Sequence, residues 1–134
     1  MKAPTAKYFK PGDRVYVQAQ QIWVILIARV MADGPSRSKH MTYGELALAM
    51  GYPDTRAGHT LGRQLGIVGN YCVANDLPPL NVIVVNQETK VPGDEVVLRK
   101  GRTVKEEQKA VLKENWFSVR VPTTGTFRQV WESK

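Results

Sequence analysis

The sequence predicts an α+β fold, a winged helix-turn-helix core of three helices and a β-hairpin wing, extended by a C-terminal helix and a small hairpin. Three observations carry this expectation. Apolar residues recur at helical spacing before residue 31 and again over 61–72. Residues 42–51 are bounded at both ends by helix-capping chemistry. A β-branched run over 81–86 is followed across a Pro-Gly turn by a shorter one over 95–98. A chain of 134 residues is long enough for one core that needs no disulfide or metal. The division expected is a flexible basic arm at 1–12, the winged helix-turn-helix at 13–98, and a basic extension at 99–134 packed on the same domain.

Pro4, Pro11 and Gly12 with Lys2, Lys7 and Lys10 make residues 1–12 the arm. From Asp13 the chain becomes helical, with Val17, Trp23, Val24, Ile27, Val30 and Met31 near helical spacing until Asp33-Gly34-Pro35 stops it. This first helix is apolar around much of its circumference and is expected to be the buried spine. A polar loop over 35–41 leads to Thr42, which with Glu45 three residues on forms a capping box: hydroxyl and carboxylate each satisfy an orphan backbone N–H. Gly51 closes that helix as a left-handed cap, and Pro53 prevents its continuation.

Leu61, Leu65, Val68 and Cys72 share one helical face and predict a third helix over 55–74. Gly58, Gly62, Gly66 and Gly69 leave two readings open. The helix breaks near 66–69, or the small residues make a flat face for close approach of another backbone. Residues 81–86 and 95–98 pair as the wing, with 87–94 as its turn. Residues 103–116 give a charged amphipathic helix, and 117–131 a second hairpin turning at Thr123-Thr124-Gly125.

The net charge of +7 and isoelectric point of about 9.7 suit a polyanionic partner. The ends are basic and the middle is not: residues 1–40, 41–98 and 99–134 carry +5, −3 and +5. Cys72 is the only cysteine, so no intramolecular disulfide forms, and a reducing cytoplasm is the expected setting. The longest apolar run, residues 22–28, is far short of the roughly 20 residues a membrane span requires. The N-terminus lacks the apolar stretch of a secretory signal.

A two-turn helix, a Gly/Pro turn and a longer helix are the layout that sets a recognition helix in the major groove. With Leu61, Leu65 and Val68 inward, Arg56, His59, Thr60, Arg63 and Gln64 are left for solvent. Arg and Gln pair with guanine and adenine edges, while Thr and His reach phosphates. Local pattern alone fits an ordinary solubilising face equally well. Lys90 in the wing turn and Arg99, Lys100 and Arg102 just beyond the wing are further phosphate candidates. No catalytic set, cofactor or metal is expected. His40 and His59 stand 19 residues apart without neighbouring ligands, and Asp94-Glu95 and Glu106-Glu107 read as solvated charges. Cys72 reads as a core residue.

Met41-Thr42-Tyr43-Gly44-Glu45-Leu46-Ala47, then Gly51-Tyr52-Pro53, Arg56-Ala57-Gly58 and Leu61-Gly62, resemble the DNA-binding domain of the O6-alkylguanine-DNA alkyltransferases and alkyltransferase-like proteins. The resemblance covers about residues 20–66. It implies that Tyr43, beside Thr42, rotates a phosphate and that Arg56 enters the duplex where a flipped base leaves. Alkyltransferases follow with a Pro-Cys-His-Arg segment, whereas this chain has Leu80-Asn81-Val82-Ile83-Val84-Val85-Asn86 and no nucleophile. The stretch from Leu77 to Gly93 also resembles winged-helix relatives in phages and mobile elements. The expected function is non-enzymatic binding of duplex DNA. The rivals are a protein-interaction module on the same scaffold, favoured by the −3 middle, and an alkyltransferase-like sensor of modified bases.

Overall fold

The computed structural model describes residues 8–134, apart from the side chains of Arg37 and Ser38. Lys2 and Lys7 of the expected arm lie outside the described residues. The end of that arm forms a 3₁₀ turn, Pro11–Asp13, which runs directly into helix α1 (Arg14–Met31).

Helix α1 buries Tyr16, Ala19, Ile22, Trp23, Leu26 and Val30, one face at three- and four-residue steps, while Val24 is exposed on the other. It is thus a one-sided spine. Trp23 anchors the core, with Tyr71 and Trp116 edge-on at 5.7 Å and Phe127 at 6.1 Å. Edge-to-face pairs contribute about 0.5–1.5 kcal/mol each beyond area burial. They tie together segments from four parts of the chain.

The capping box forms as its residues require. Thr42 Oγ1 accepts the Glu45 N–H at 3.1 Å and Glu45 Oε1 accepts the Thr42 N–H at 3.0 Å, starting helix α2 (Tyr43–Ala49). Gly51 takes φ +95°, the left-handed conformation that ends it. The helix expected over 55–74 is two elements: a 3₁₀ segment, Thr55–Thr60, and helix α3 (Gly62–Ala74), joined at Leu61. The 3₁₀ segment begins where the Asp54 carboxylate accepts the Arg56 N–H at 2.8 Å. Gly66 and Gly69 do not break α3. A Cβ on Gly69 would lie 2.5 Å from Asn81 Oδ1, and one on Gly66 3.4 Å from the Trp131 ring. Close approach therefore holds, against side chains at Gly66 and Gly69 and against the backbone of α2 at Gly58.

The antiparallel wing does not form. Strand β1 (Met41–Thr42) pairs in parallel with β2 (Val84–Val85), and residues 95–98 are not a strand. The β-branched run is consumed by the core: Val82, Ile83 and Val84 are fully buried, and Leu80–Ile83 form a 3₁₀ turn. A ladder begins where Asn86 N–H meets the Val91 carbonyl at 2.9 Å. It ends there because Pro92 has no N–H and the Gly93 N–H is taken by the Tyr43 hydroxyl at 2.7 Å.

Helix α4 (Val104–Lys113) starts on a second capping box, Thr103 with Glu106, visible in the sequence as the same Thr-x-x-Glu pattern. The second hairpin is also replaced. Thr123 caps helix α5 (Thr124–Ser133), accepting the Thr126 N–H at 3.0 Å, and α5 packs on α1 and α3. Phe127 and Trp131, four residues apart, supply the helical face that the β-branched approach to this segment obscures. The described residues are therefore mainly helical with one small sheet, an α+β composition. Among the described residues, no helix is long and apolar enough to cross a membrane.

Candidate nucleic-acid interface

The segment between α2 and α3 is held by a glycine. Gly58 lies against α2 so closely that a Cβ there would stand 2.6 Å from the Tyr43 carbonyl carbon and oxygen. Leu61, Leu65 and Val68 face the core, and Arg56, His59, Thr60 and Arg63 face solvent. The expected reading residues therefore sit on a 3₁₀ segment and the first turn of α3 rather than on one continuous helix.

Three depressions adjoin them, the first, of about 450 Å³, between His59, Gly62, Tyr43 and the Gly93–Glu95 loop. Thr42, Tyr43, Gly44, Arg56 and His59 line a second of about 140 Å³ together with residues of the 86–87 turn. Thr60, Arg63 and Gln64 line another, about 590 Å³, whose remaining walls come from the 3₁₀ turn before α1, α1 itself, Tyr52 and Arg128. Arg56 is 86% exposed along its side chain, yet its Nε and Nη2 donate to the Asp54 carboxylate at 3.1 and 2.8 Å. Those side-chain bonds hold Asp54 below the usual carboxylate range. Thr60 Oγ1 donates to the Ala57 carbonyl at 2.7 Å. Gln64 is half-buried and committed: its Nε2 donates to Gln18 Oε1 at 2.8 Å, and Gln18 donates to the Tyr52 hydroxyl at 2.8 Å. It joins α3 to α1 instead of standing free in solvent.

Tyr43 is where an acid reaches the site. Its hydroxyl donates to Glu95 Oε2 at 2.6 Å and accepts the Gly93 N–H at 2.7 Å. Burial, and then the bond to Glu95, raise the tyrosine pKa above its ordinary value, so the phenol keeps its proton. Glu95 also lies near the start of α3, since a Cβ on Gly62 would stand 3.9 Å from Glu95 Oε1. That helix has no side-chain cap, and the uncapped amides of a helix start favour a neighbouring anion. Glu95 therefore does not behave as the solvated turn charge expected. Its partner is 52 residues away, beyond any local sequence signal.

Lys90, Arg99, Lys100 and Arg102 do not line these depressions. Lys90 is exposed at φ +62°, a left-handed turn position, and Lys100 is also exposed. Arg99 is only 14% exposed and binds Glu107, whose side chain is fully buried; Arg99 Nη2 to Glu107 Oε1 is 2.7 Å. Arg102 Nη1 lies 3.8 Å from the same oxygen. The phosphate role expected of Arg99 is thus replaced by a core ion pair, and Glu107 is not a solvated helix charge. Glu107 shares the inner face of α4 with Val104 and Val111, the sequence signal for its burial.

Cys72 is fully buried, and burial pushes its thiol up to about 12, which keeps it protonated and unreactive. Among the described residues, no three His, Cys, Asp or Glu side chains gather as a metal site. The residues that sequence reasoning overlooked at this face are Glu95, Arg14 and Arg128, each supplied by an element remote in sequence. No protein-family model, curated protein or solved structure matches the chain.

Proposed function

We propose that the protein binds duplex DNA without catalysing a reaction, presenting the 3₁₀ segment and the first turn of α3 to a groove. The loop over 86–94 takes the place of a wing. The observation that carries this reading is the display of Arg56, His59, Thr60 and Arg63 outward while Leu61, Leu65 and Val68 fix the same segment to the core. Phosphate contacts supply affinity and side chains at base edges supply specificity.

A gel-shift titration at two salt concentrations tests it. The wild-type protein shifts duplex DNA at low salt and loses affinity as salt rises. Arg56→Ala and Arg63→Ala each weaken binding about tenfold, the scale of one good base contact. Glu95→Gln strengthens binding several-fold, because it removes an anion beside the start of α3 and weakens the hydrogen bond that holds Tyr43. Retention of full affinity by both arginine variants, or no shift at low salt, overturns the reading.

The Glu95–Tyr43 contact favours a second reading, a protein-interaction module in which the acidic loop faces a basic partner. A base-sensing role built on Tyr43 requires the same contact to open. The Glu95→Gln arm bears on both: no duplex binding by wild type or by this variant points to the protein partner, and tighter binding of duplex carrying a modified base by the variant points to base sensing.

A further inference from the structure

We infer that the groove between the starts of α1 and α3 and helix α5 is a binding site for backbone phosphate, formed by Arg14, Arg63 and Arg128. This rests on the DNA-binding reading for the identity of its ligand. The three arginines come from three separate helices, so only the fold brings them to one groove of about 590 Å³.

One of the three is prepositioned. Arg128 donates to the Asp13 carboxylate and to the Gly12 carbonyl, and its guanidinium stacks 4.7 Å from the centre of the Tyr16 ring. Asp13 offsets that charge. Arg14 and Arg63 are exposed and form no ion pair among the described residues, so the groove retains two uncompensated positive charges. A planar guanidinium matches two phosphate oxygens at once, which makes arginine the side chain suited to this ligand. The lining includes Thr60, Gln64 and Tyr52, polar groups that suit a hydrated anion better than an apolar molecule. Gln64 Oε1, on a residue of the groove wall, is buried without a hydrogen-bond partner. Arg63 and Thr60 belong both to this groove and to the outward face proposed for base reading. A strand backbone in the groove therefore runs alongside that face.

The chain offers no local hint of this site, since Arg14 and Arg128 are 114 positions apart. Arg14→Gln tests it with little risk to the fold, and Arg14→Gln/Arg128→Gln extends the test, with circular dichroism confirming that each variant is folded. Fluorescence anisotropy with a labelled duplex, from 50 to 200 mM salt, is expected to show the salt slope fall by about 0.9 in the single variant and about 1.8 in the double. Affinity falls equally on unrelated sequences, as phosphate contact demands. A folded double variant with an unchanged slope overturns the inference even though DNA is bound. Should the wild-type protein bind no duplex, a titration with pyrophosphate, followed by NMR at the arginine Nε–H groups, separates the two claims. Shifts at Arg14, Arg63 and Arg128 keep the groove as a site for small phosphates while the DNA reading fails, and no shifts overturn the groove as well.

Discussion

Glu107→Gln is expected to destabilise the protein by about 3 kcal/mol, the low end of the cost of removing one partner from a buried ion pair. The Glu107 side chain is fully buried and Arg99 is 14% exposed. The carboxylate accepts the Arg99 backbone N–H at 2.9 Å, both Arg99 Nε contacts at 3.2 Å and Nη2 at 2.7 Å. An amide of the same shape keeps the volume but loses the charge, and its NH₂ opposes a guanidinium that cannot deprotonate. Asp76, 3.8 Å from Arg99 Nη1, compensates weakly because it is almost wholly exposed. Urea unfolding reads the loss as a lower midpoint at unchanged slope.

The same pair makes stability fall in acid. Burial alone raises the Glu107 pKa, but hydrogen bonds from the Arg99 side chain and backbone, with the charges of Arg99 and Arg102, hold it below the ordinary value of 4.5. The unfolded chain then takes up the proton first. The contribution is complete above about pH 4.5 and is lost as pH falls through the lower folded value. The wild-type midpoint should therefore drop more steeply than that of Glu107→Gln over this range. Parallel curves would remove the ion pair from the account.

Gly58→Ala is expected to cost about 3 kcal/mol, the upper part of the usual range for overpacking. The added Cβ would stand 2.6 Å from the Tyr43 carbonyl carbon and oxygen and 3.0 Å from the Gly44 nitrogen. These are backbone atoms at the start of α2, with no rotamer by which to withdraw. The 3₁₀ segment must lift, carrying Arg56 and His59 with it, so DNA affinity should fall together with stability. Gly12→Ala is the matched control: no atom lies within 4 Å of its Cβ, so the melting temperature should hardly change. A Gly58→Ala protein as stable as wild type would show that the approach to α2 is not rigid.

Features confined to a few neighbouring residues were legible in the sequence. The Thr42–Glu45 box, Gly51 and the apolar faces of α1 and α3 each require information from within about one turn, and each element appears where that chemistry sits. That the expected wing would not form was not legible, because the run meant as its first strand is buried whole and the returning segment is diverted by a hydrogen bond from Gly93 to Tyr43, 50 residues away. Helix α5 was masked by the β-branched residues before it, although Phe127 and Trp131 marked its face. The outward arginines of the site were named from spacing. Arg99 looked equally free until its partner proved to be buried on α4. Charge in a sequence indicates composition, whereas availability depends on which opposite charge the fold sets beside it.

The proposed DNA-contacting face is the 3₁₀ segment with the first turn of α3. In an amide NMR titration with a short duplex at low salt, the largest perturbations should fall on residues 55–64 and on Tyr43 and Glu95, whose contact must adjust. Perturbations confined to residues 99–102, or none at saturating duplex, would contradict this placement.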